Sequence, residues 1–514
     1  MTLTTHDLPD DIDALKQIIV HQQQSMERIK QEYEAVIAAL FRRYYGPRSE
    51  RFDPRQLLLF GQQIEHGKLD TASVEEEAGE ALASRQARRR HPHGRSPLPE
   101  HLERIDIEHD LENKACPECG NERCRIGQEI SEQLEYFPAM LKVLRHIRYM
   151  YACGKCNHDG YNPNIECAPK PAQPIDKGLP GPGLLAYVIT SKLADHLPLY
   201  RLESIFARSD VEIARSTMCA WMRCAGELVA PLVKLMKERI LRSRVIHTDD
   251  TPVPIQSPGA KQCRKGRIWC YLGDADHPYI VYDYTPGRGR DGPAGWLAGY
   301  QGYLQADAYG GYDGIYHSQG VTEVACWAHA RRKFYDAQDS DPRRCGEILA
   351  LIGQLYAIER EAKDADESMR LQLRQNRSTG ILTEIRSWLD DKRPVVLPRS
   401  PMAAAITYAL NQWEALNVFT TRGFLDIDNN ASERALKPIA IGRKNWLFAG
   451  NDQAAANHAR LWSLIGSCRR HGVDPQRYLT SVLAKIPVTP SDELDQFLPD
   501  IWQREDAAEP IPQP

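Results

Sequence analysis

Four cysteines and a set of carboxylates are the residues of this sequence whose types and spacing could do chemistry. Cys116-Pro-Glu-Cys119 and Cys153-Gly-Lys-Cys156 are two CxxC pairs, each on a tight turn with Pro or Gly. Four thiolates so arranged can close tetrahedrally on one zinc ion, and a closed four-cysteine site is structural rather than catalytic. The span between the pairs is longer than usual. Strand-like stretches, Leu134 to Phe137 and Val143 to Tyr151, fill it as a ribbon, with Cys124, His158 and Cys167 nearby as substitute ligands. The carboxylates lie further on. Arg244 to Ile255, RVIHTDDTPVPI, is a β-branched strand carrying Asp249 and Asp250, and Gly302 to Asp307, GYLQAD, is a short apolar strand ending in an acid just before AYGGYDG. Glu433 falls in the first turn of a helix that begins at Ala431, after Asn429 and Asn430, which read as turn and cap residues. Carboxylates at the ends of buried strands are costly unless compensated. Three that converge repel one another unless divalent cations fill the space between them. Strand alternation alone does not choose between Asp249 and Asp250.

The elements that must position these groups can be read in order. Leu8, Ile12, Leu15, Ile19, Gln22, Met26, Ile29, Tyr33, Val36 and Leu40 alternate steps of four and three, a heptad seam with one polar position. Residues 1–60 are therefore expected to hold a coiled-coil helix that pairs two copies of the chain, in preference to a long helix folded back on its own chain; Gly46-Pro47 ends it, and a basic turn leads into a short apolar helix up to Phe60. Residues 61–100 have no apolar period and read as a disordered linker; its basic part, RQARRRHPHGR, could lie along a DNA backbone or be a solvated charge run. Residues 101–170 hold the zinc ribbon. Residues 171–243 read as successive helices in which Arg215, Ser216 and Thr217 open a second helix, a layout that suits a helix-turn-helix facing a DNA groove, although ordinary helix packing explains it nearly as well. From residue 244 the texture switches to strands: Arg267 to Leu272, Tyr279 to Tyr284 and Val321 to Cys326 join the two that carry acids. Arg434, Lys437, Arg443 and Lys444 follow Glu433, interleaved with Trp446 and Phe448, and suit phosphate contact; a solvated helix face is the competing meaning.

Bulk composition sets few limits. Lys and Arg total 65 against 69 Asp and Glu, so a net charge of -4 gives no global sign of a nucleic-acid partner. Thirteen cysteines, an odd number in a long chain, argue against a disulfide framework. The acidic opening MTLTTHDLPDD lacks a signal-peptide pattern and no apolar run is long enough to span a bilayer, which leads to the expectation of a cytoplasmic, nucleoid-associated protein with no membrane partner.

Three antiparallel strands, a helix, two further strands and a late glutamate-bearing helix resemble the ribonuclease H-like fold. The strings HTDDTPVP, LQADAYGGYD, CWAHARRKF and DNNASERALKPIAIGRKNWLFAG, with FRRYYGPRSERFDP, CPECG, SEQLEYFPA and YLTSVLAKIP, are similar to those of the DDE transposases of insertion-sequence family 66, in their large transposase subunit. The resemblance runs over nearly the whole chain. It implies a multidomain α+β protein with a ribonuclease H-like catalytic core over 244–470, a helical insertion at about 327–425 and a helical tail over 471–514. It also implies Asp249, Asp307 and Glu433 as catalytic residues holding two Mg²⁺ (or Mn²⁺) ions, with Asp250 a neighbour. Its partners would be double-stranded DNA, both the transposon's terminal inverted repeats and the target, and small accessory proteins of the same element. The expected activity is metal-dependent cleavage at transposon ends and strand transfer into target DNA. The competing expectations are a structure-specific nuclease of the same fold and a catalytically idle DNA-binding protein.

Overall fold

The computed structural model describes residues 98–506 apart from 101, 119, 138–139, 154–164, 258, 260–261 and 319. The expected N-terminal coiled coil, the basic turn and nearly all of the linker lie outside the described residues. Residues 98–334, 347–396 and 404–506 belong to one compact unit, and Tyr335–Gly346 and Leu397–Ala403 fall outside it.

Strands β1 (Arg104–His109), β2 (Cys124–Phe137), β3 (Met140–Ala152) and β4 (Ile165–Cys167) make the first sheet. β2 and β3 form a long antiparallel hairpin, and β1 (parallel) and β4 (antiparallel) also pair with β3. This is the ribbon expected between the two CxxC pairs, with both strands longer than their most β-branched stretches. Its far end is built into the next module. Leu134 exchanges backbone bonds with Leu179 and Gly181, and the Glu135 carboxylate accepts the N–H of Leu184 (2.7 Å) in the first turn of the following helix. An acid there complements the helix dipole. Gly181 is demanded by that approach, because a Cβ on it would lie 2.0 Å from the Glu135 carboxylate.

Helices α1 (Pro182–Leu193), α2 (Leu199–Ala207), α3 (Arg215–Leu228) and α4 (Ala230–Ile240) follow. Pro182 starts α1, where its missing N–H costs nothing, and α1 is apolar on nearly every side and correspondingly buried. The central sheet then forms from β5 (Val245–Ile255), β6 (Arg264–Leu272), β7 (Ile280–Thr285), β8 (Gly302–Gln305) and β9 (Val321–Val324), with short helices α5 (Asp291–Trp296) before β8 and α6 (Asp313–Ser318) after it. The strand order is β7-β6-β5-β8-β9. The first three strands are antiparallel neighbours, and β8 and β9 run parallel to β5. Each strand lies within a few residues of its β-branched run in the sequence.

Between β9 and the glutamate helix stand α7 (Trp327–Asp336), α8 (Pro342–Glu361), α9 (Glu367–Leu373), a π turn (Arg374–Ser378), α10 (Thr379–Lys392), α11 (Pro401–Asn411) and α12 (Trp413–Asn417). The glutamate helix α13 (Asn430–Trp446) leads to α14 (Asp452–Arg470), α15 (Pro475–Lys485) and α16 (Pro499–Asp506). Helix α14 covers the sheet edge. Ser463 and Ser467, one turn apart, accept the N–H groups of Tyr282 (2.8 Å) and Ile280 (3.0 Å) on β7, so the edge strand's unpaired backbone is satisfied by side chains.

One apolar core joins α1–α4, the central sheet and α13–α16: Leu184, Leu202, Met222, Ile268, Tyr271, Leu464, Leu479 and Phe497 all belong to it. The boundaries expected near 243 and 471 are thus not breaks in the core. The helical module and the C-terminal tail close over each other, as where Trp462 of α14 donates to the Leu193 carbonyl and Gln476 of α15 to that of Gly183. No helix among the described residues is long and apolar enough to cross a membrane.

Candidate active site

The register of the central sheet brings the first two acids together. β5 and β8 are parallel with His247 opposite Gln305 as their last paired residues. Asp249 and Asp307 each lie two positions further on, so the period of two puts them side by side, at the carboxyl ends of parallel strands where α/β sheets place their ligand crevices. Beyond this point β8 no longer accompanies β5, which is why Pro252 and Pro254 are tolerated in a strand otherwise paired along its length with β6.

The third acid is delivered by a set of buried hydrogen bonds. Asn429 is fully buried, and its side chain does not cap α13 as expected. It crosses to β5, donating from Nδ2 to the Thr248 carbonyl (2.8 Å) and facing His247 Nδ1 with Oδ1 at 3.2 Å. Burial pushes the His247 imidazole below its usual range, and because Asn429 Oδ1 is an acceptor, Nδ1 is the nitrogen that donates to it. Asp428 makes the local turn instead, accepting from the Asn430 N–H (3.1 Å) and side chain (2.7 Å). Gln305 adds a further stitch to the Asp426 carbonyl (2.7 Å). The start of α13 is therefore fastened to the two residues that precede Asp249 and to the strand that precedes Asp307, and Glu433 follows one turn later. An Asn before a helix is so commonly a cap that no sequence pattern points to this bridge. Asn429→Ala is expected to cost about 1–3 kcal/mol for the polar groups it strands, measured as a lower denaturation midpoint, and to reduce activity further than that loss explains.

The electrostatics fit an acid cluster. Burial, then the negative charges of Asp307, Asp250 and Glu433, push the Asp249 carboxyl up to about 7, against the pull of the Asp250 N–H, which it accepts at 2.7 Å. Asp250 is differently placed. Its side chain is almost fully buried and is held by Arg267 (2.8 Å) from β6 and Arg288 (2.8 Å) from the loop after β7. Both Asp250 oxygens are paired to guanidinium groups, whereas Asp249 has no ion pair among the described residues. Arg288 also reaches Asp307 (3.4 Å), and His329 Nε2 of α7 lies 3.6 Å from Glu433. Neither Arg267, Arg288 nor His329 stood out in the sequence, since single basic residues in a loop, a strand and a helix carry no spacing signal. Among the described residues no three His, Cys, Asp or Glu side chains are drawn close enough to make a ready ligand set.

The other expected site residues are distributed as follows. Arg215 and Ser216 are exposed at the start of α3, with Thr217 half-buried. Arg434, Lys437 and Lys444 are exposed on α13. Arg443 turns inward and donates to Thr251 Oγ1 (2.7 Å) and to the Pro252 carbonyl. Through these bonds Arg443 braces α13 against β5. Trp446 packs on Trp462 (ring centroids 5.9 Å apart), while Leu447 and Phe448 are exposed. Cys116 and Cys153 are both buried, Cys116 in a turn closed by the Gly120 N–H on its carbonyl (2.9 Å) and Cys153 just after β3. Cys119 and Cys156 lie outside the described residues.

Comparison with known proteins agrees with this layout. The family model "Transposase IS66 family" matches residues 177–457, from the helical module through β5, β8 and the glutamate helix. "Zinc-finger binding domain of transposase IS66" matches 113–157, a span that includes all four cysteines of the CxxC pairs. "Transposase C of IS166 homeodomain" matches 32–107 and "IS66 C-terminal element" matches 463–499. Two uncharacterized proteins of Sinorhizobium fredii (strain NBRC 101917 / NGR234) are similar over almost their whole length: y4qI is 33% identical, covering 97% of this chain and 98% of its own, and y4jD is 32% identical, covering 98% of each. The chain belongs to the IS66 transposase family. Membership implies a role in DNA transposition, and the zinc-finger match implies a structural zinc.

Proposed function

We propose that the chain is a DDE-type transposase that cleaves DNA at transposon ends and joins them to target DNA, with Asp249, Asp307 and Glu433 as its catalytic acids. The observation that supports this reading is the register of β5 and β8, which ends just before Asp249 and Asp307, together with the Asn429 bridge, which fastens the start of the helix bearing Glu433 to β5. Divalent cations fit the residues present. Asp249, pushed up to about 7 by burial and by three neighbouring acids, is a ligand whose ionised form needs added positive charge. When bound, two Mg²⁺ or Mn²⁺ ions supply activation of the attacking oxygen and stabilisation of the leaving 3′-oxygen in an in-line displacement at phosphorus.

The chain's own residues do the rest. Asp249, Asp307 and Glu433, the last carried on α13 behind the Asn429 bridge, would hold the cations. Exposed Arg434, Lys437 and Lys444 on that helix contact DNA phosphates beside the scissile bond. Arg215, Ser216 and Thr217 contact DNA from α3 as part of a helix-turn-helix. A coiled coil in residues 1–60 would join two copies, and Cys116, Cys119, Cys153 and Cys156 would hold the zinc of the ribbon. No covalent protein intermediate is required, because the same displacement serves water in cleavage and a 3′-hydroxyl in joining. The test is an assay with Mg²⁺, a labelled element end and a target plasmid. Joined product is the expected result; cleavage alone would indicate a nuclease, and binding without either an idle DNA-binding protein.

A further inference from the structure

Among the described residues Arg288 is the one group whose ion pairs reach both an acid of the proposed triad and its neighbour. Its guanidinium lies 2.8 Å from Asp250 and 3.4 Å from Asp307, and 4.0 Å from the centroid of the Tyr309 ring. Tyr309 in turn donates its hydroxyl to the Arg288 carbonyl, so the residue is held at both its backbone and its side chain by the segment that carries Asp307. Asp250 keeps a second cation, Arg267, and does not depend on Arg288 for neutralisation. Asp307 has no other ion pair among the described residues. Gly287 and Gly289 flank Arg288, and a methyl group on either would touch nothing within 4 Å. The Arg288 side chain is 36% exposed.

We propose that Arg288 is the internal counter-ion of the acid cluster: in the metal-free protein it stands in for part of the cation charge at Asp307, and a divalent ion must compete with it to bind. This rests on the reading of Asp249, Asp307 and Glu433 as cation ligands. Arg288 is on this account a positioning residue. It keeps Asp307 in place against the repulsion of Asp249 and Asp250 until the ions arrive, and weakens their binding in doing so.

The test measures Mn²⁺ binding by titration calorimetry on the full chain without DNA, so that activity plays no part. Arg288→Gln is expected to bind Mn²⁺ roughly tenfold more tightly than wild type, since a unit positive charge a few ångströms from the ligands has been removed. It should also show a lower thermal midpoint in chelator and a larger upward shift of that midpoint on adding Mn²⁺. Arg288→Lys, which keeps the charge but cannot fork between two carboxylates, should fall between the two. Asp307→Asn serves as the control and should weaken binding strongly. If Asp307→Asn weakens binding while Arg288→Gln and Arg288→Lys bind as wild type or more weakly, the counter-ion proposal is overturned and the cation site stands. If Asp307→Asn leaves Mn²⁺ binding unchanged, the cation reading itself fails.

Discussion

Asp249→Asn is expected to lower strand transfer by at least about three orders of magnitude, through loss of a group that holds charge at the reacting centre. The same substitution should stabilise the metal-free protein at and above neutral pH. The sign follows from the raised pKa. An unfolded Asp ionises near 3.8 and the folded carboxyl near 7. Below about pH 4 the group is neutral in both states and costs nothing. As pH rises from about 4 to 7 the unfolded chain ionises first, and stability is lost progressively until the folded carboxyl also ionises. The full deficit corresponds to about three pKa units, on the order of 4 kcal/mol. An Asn cannot ionise, yet its side-chain oxygen can still accept the Asp250 N–H. Denaturation in chelator at pH 5 and pH 8 checks this: the advantage of Asp249→Asn should be small at pH 5 and larger at pH 8. An equal difference at both would show that the carboxyl is not held out of its ordinary range. The pairing of lost activity with gained stability is what a strained functional acid should give, and a purely structural Asp would not.

The second large effect lies in the helical insertion. Arg374, on the π turn after α9, is fully buried and uses its guanidinium completely: two bonds to Glu359 (2.7 and 2.6 Å) and three to the carbonyls of Phe419, Arg422 and Leu425 (each 2.8 Å). Those carbonyls belong to the segment that descends into Asp426, Asn429 and α13. Arg374→Met would leave the buried Glu359 with only Arg370 at 3.4 Å and three carbonyls unpaired. The expected destabilisation is about 3–5 kcal/mol, the usual cost of removing one partner of a buried ion pair. Chemical denaturation measures it directly. Adding Glu359→Leu should recover part of the loss by removing the stranded charge, and no recovery would mean that the carbonyl contacts dominate. Because the insertion thus holds the approach to Glu433, its helices serve the site although none of them carries one of the three acids.

What could be read in the sequence, and what could not, divides along physical lines. Strands β5 to β9 were legible because β-branched and apolar runs bounded by Gly and Pro are local signals, and the first turn of α13 because helix-forming residues follow turn residues. The hairpin of the ribbon was legible for the same reason. The proximity of Asp249 to Asp307 needs a register between strands far apart in the chain, which no local pattern encodes; similarity to known transposases pointed to it first. Asn429, Arg288 and Arg374 were invisible as positioning groups because each acts across a long sequence separation through one side chain. Asn429 looked like a cap, Arg288 like a loop charge, and Arg374 like one of many helical arginines. Arg443 stands among exposed basic residues in the sequence, and its Nη1 bonds to β5 were equally invisible there. The shared core of α1–α4 with α14–α16 was hidden too, since apolar helices at opposite ends of a chain carry no label of their partner.

The central claim is that Glu433, brought to Asp249 and Asp307 by the Asn429 bridge, completes a cation-dependent strand-transfer site. The most direct measurement compares wild type and Glu433→Gln in the joining of a labelled transposon end to a target plasmid with Mg²⁺, with binding to the same end measured in parallel. Glu433 is exposed on α13, so the substitution should leave folding and end binding close to wild type. Joined product is predicted to be lost while end binding is retained; normal strand transfer by Glu433→Gln would contradict the account.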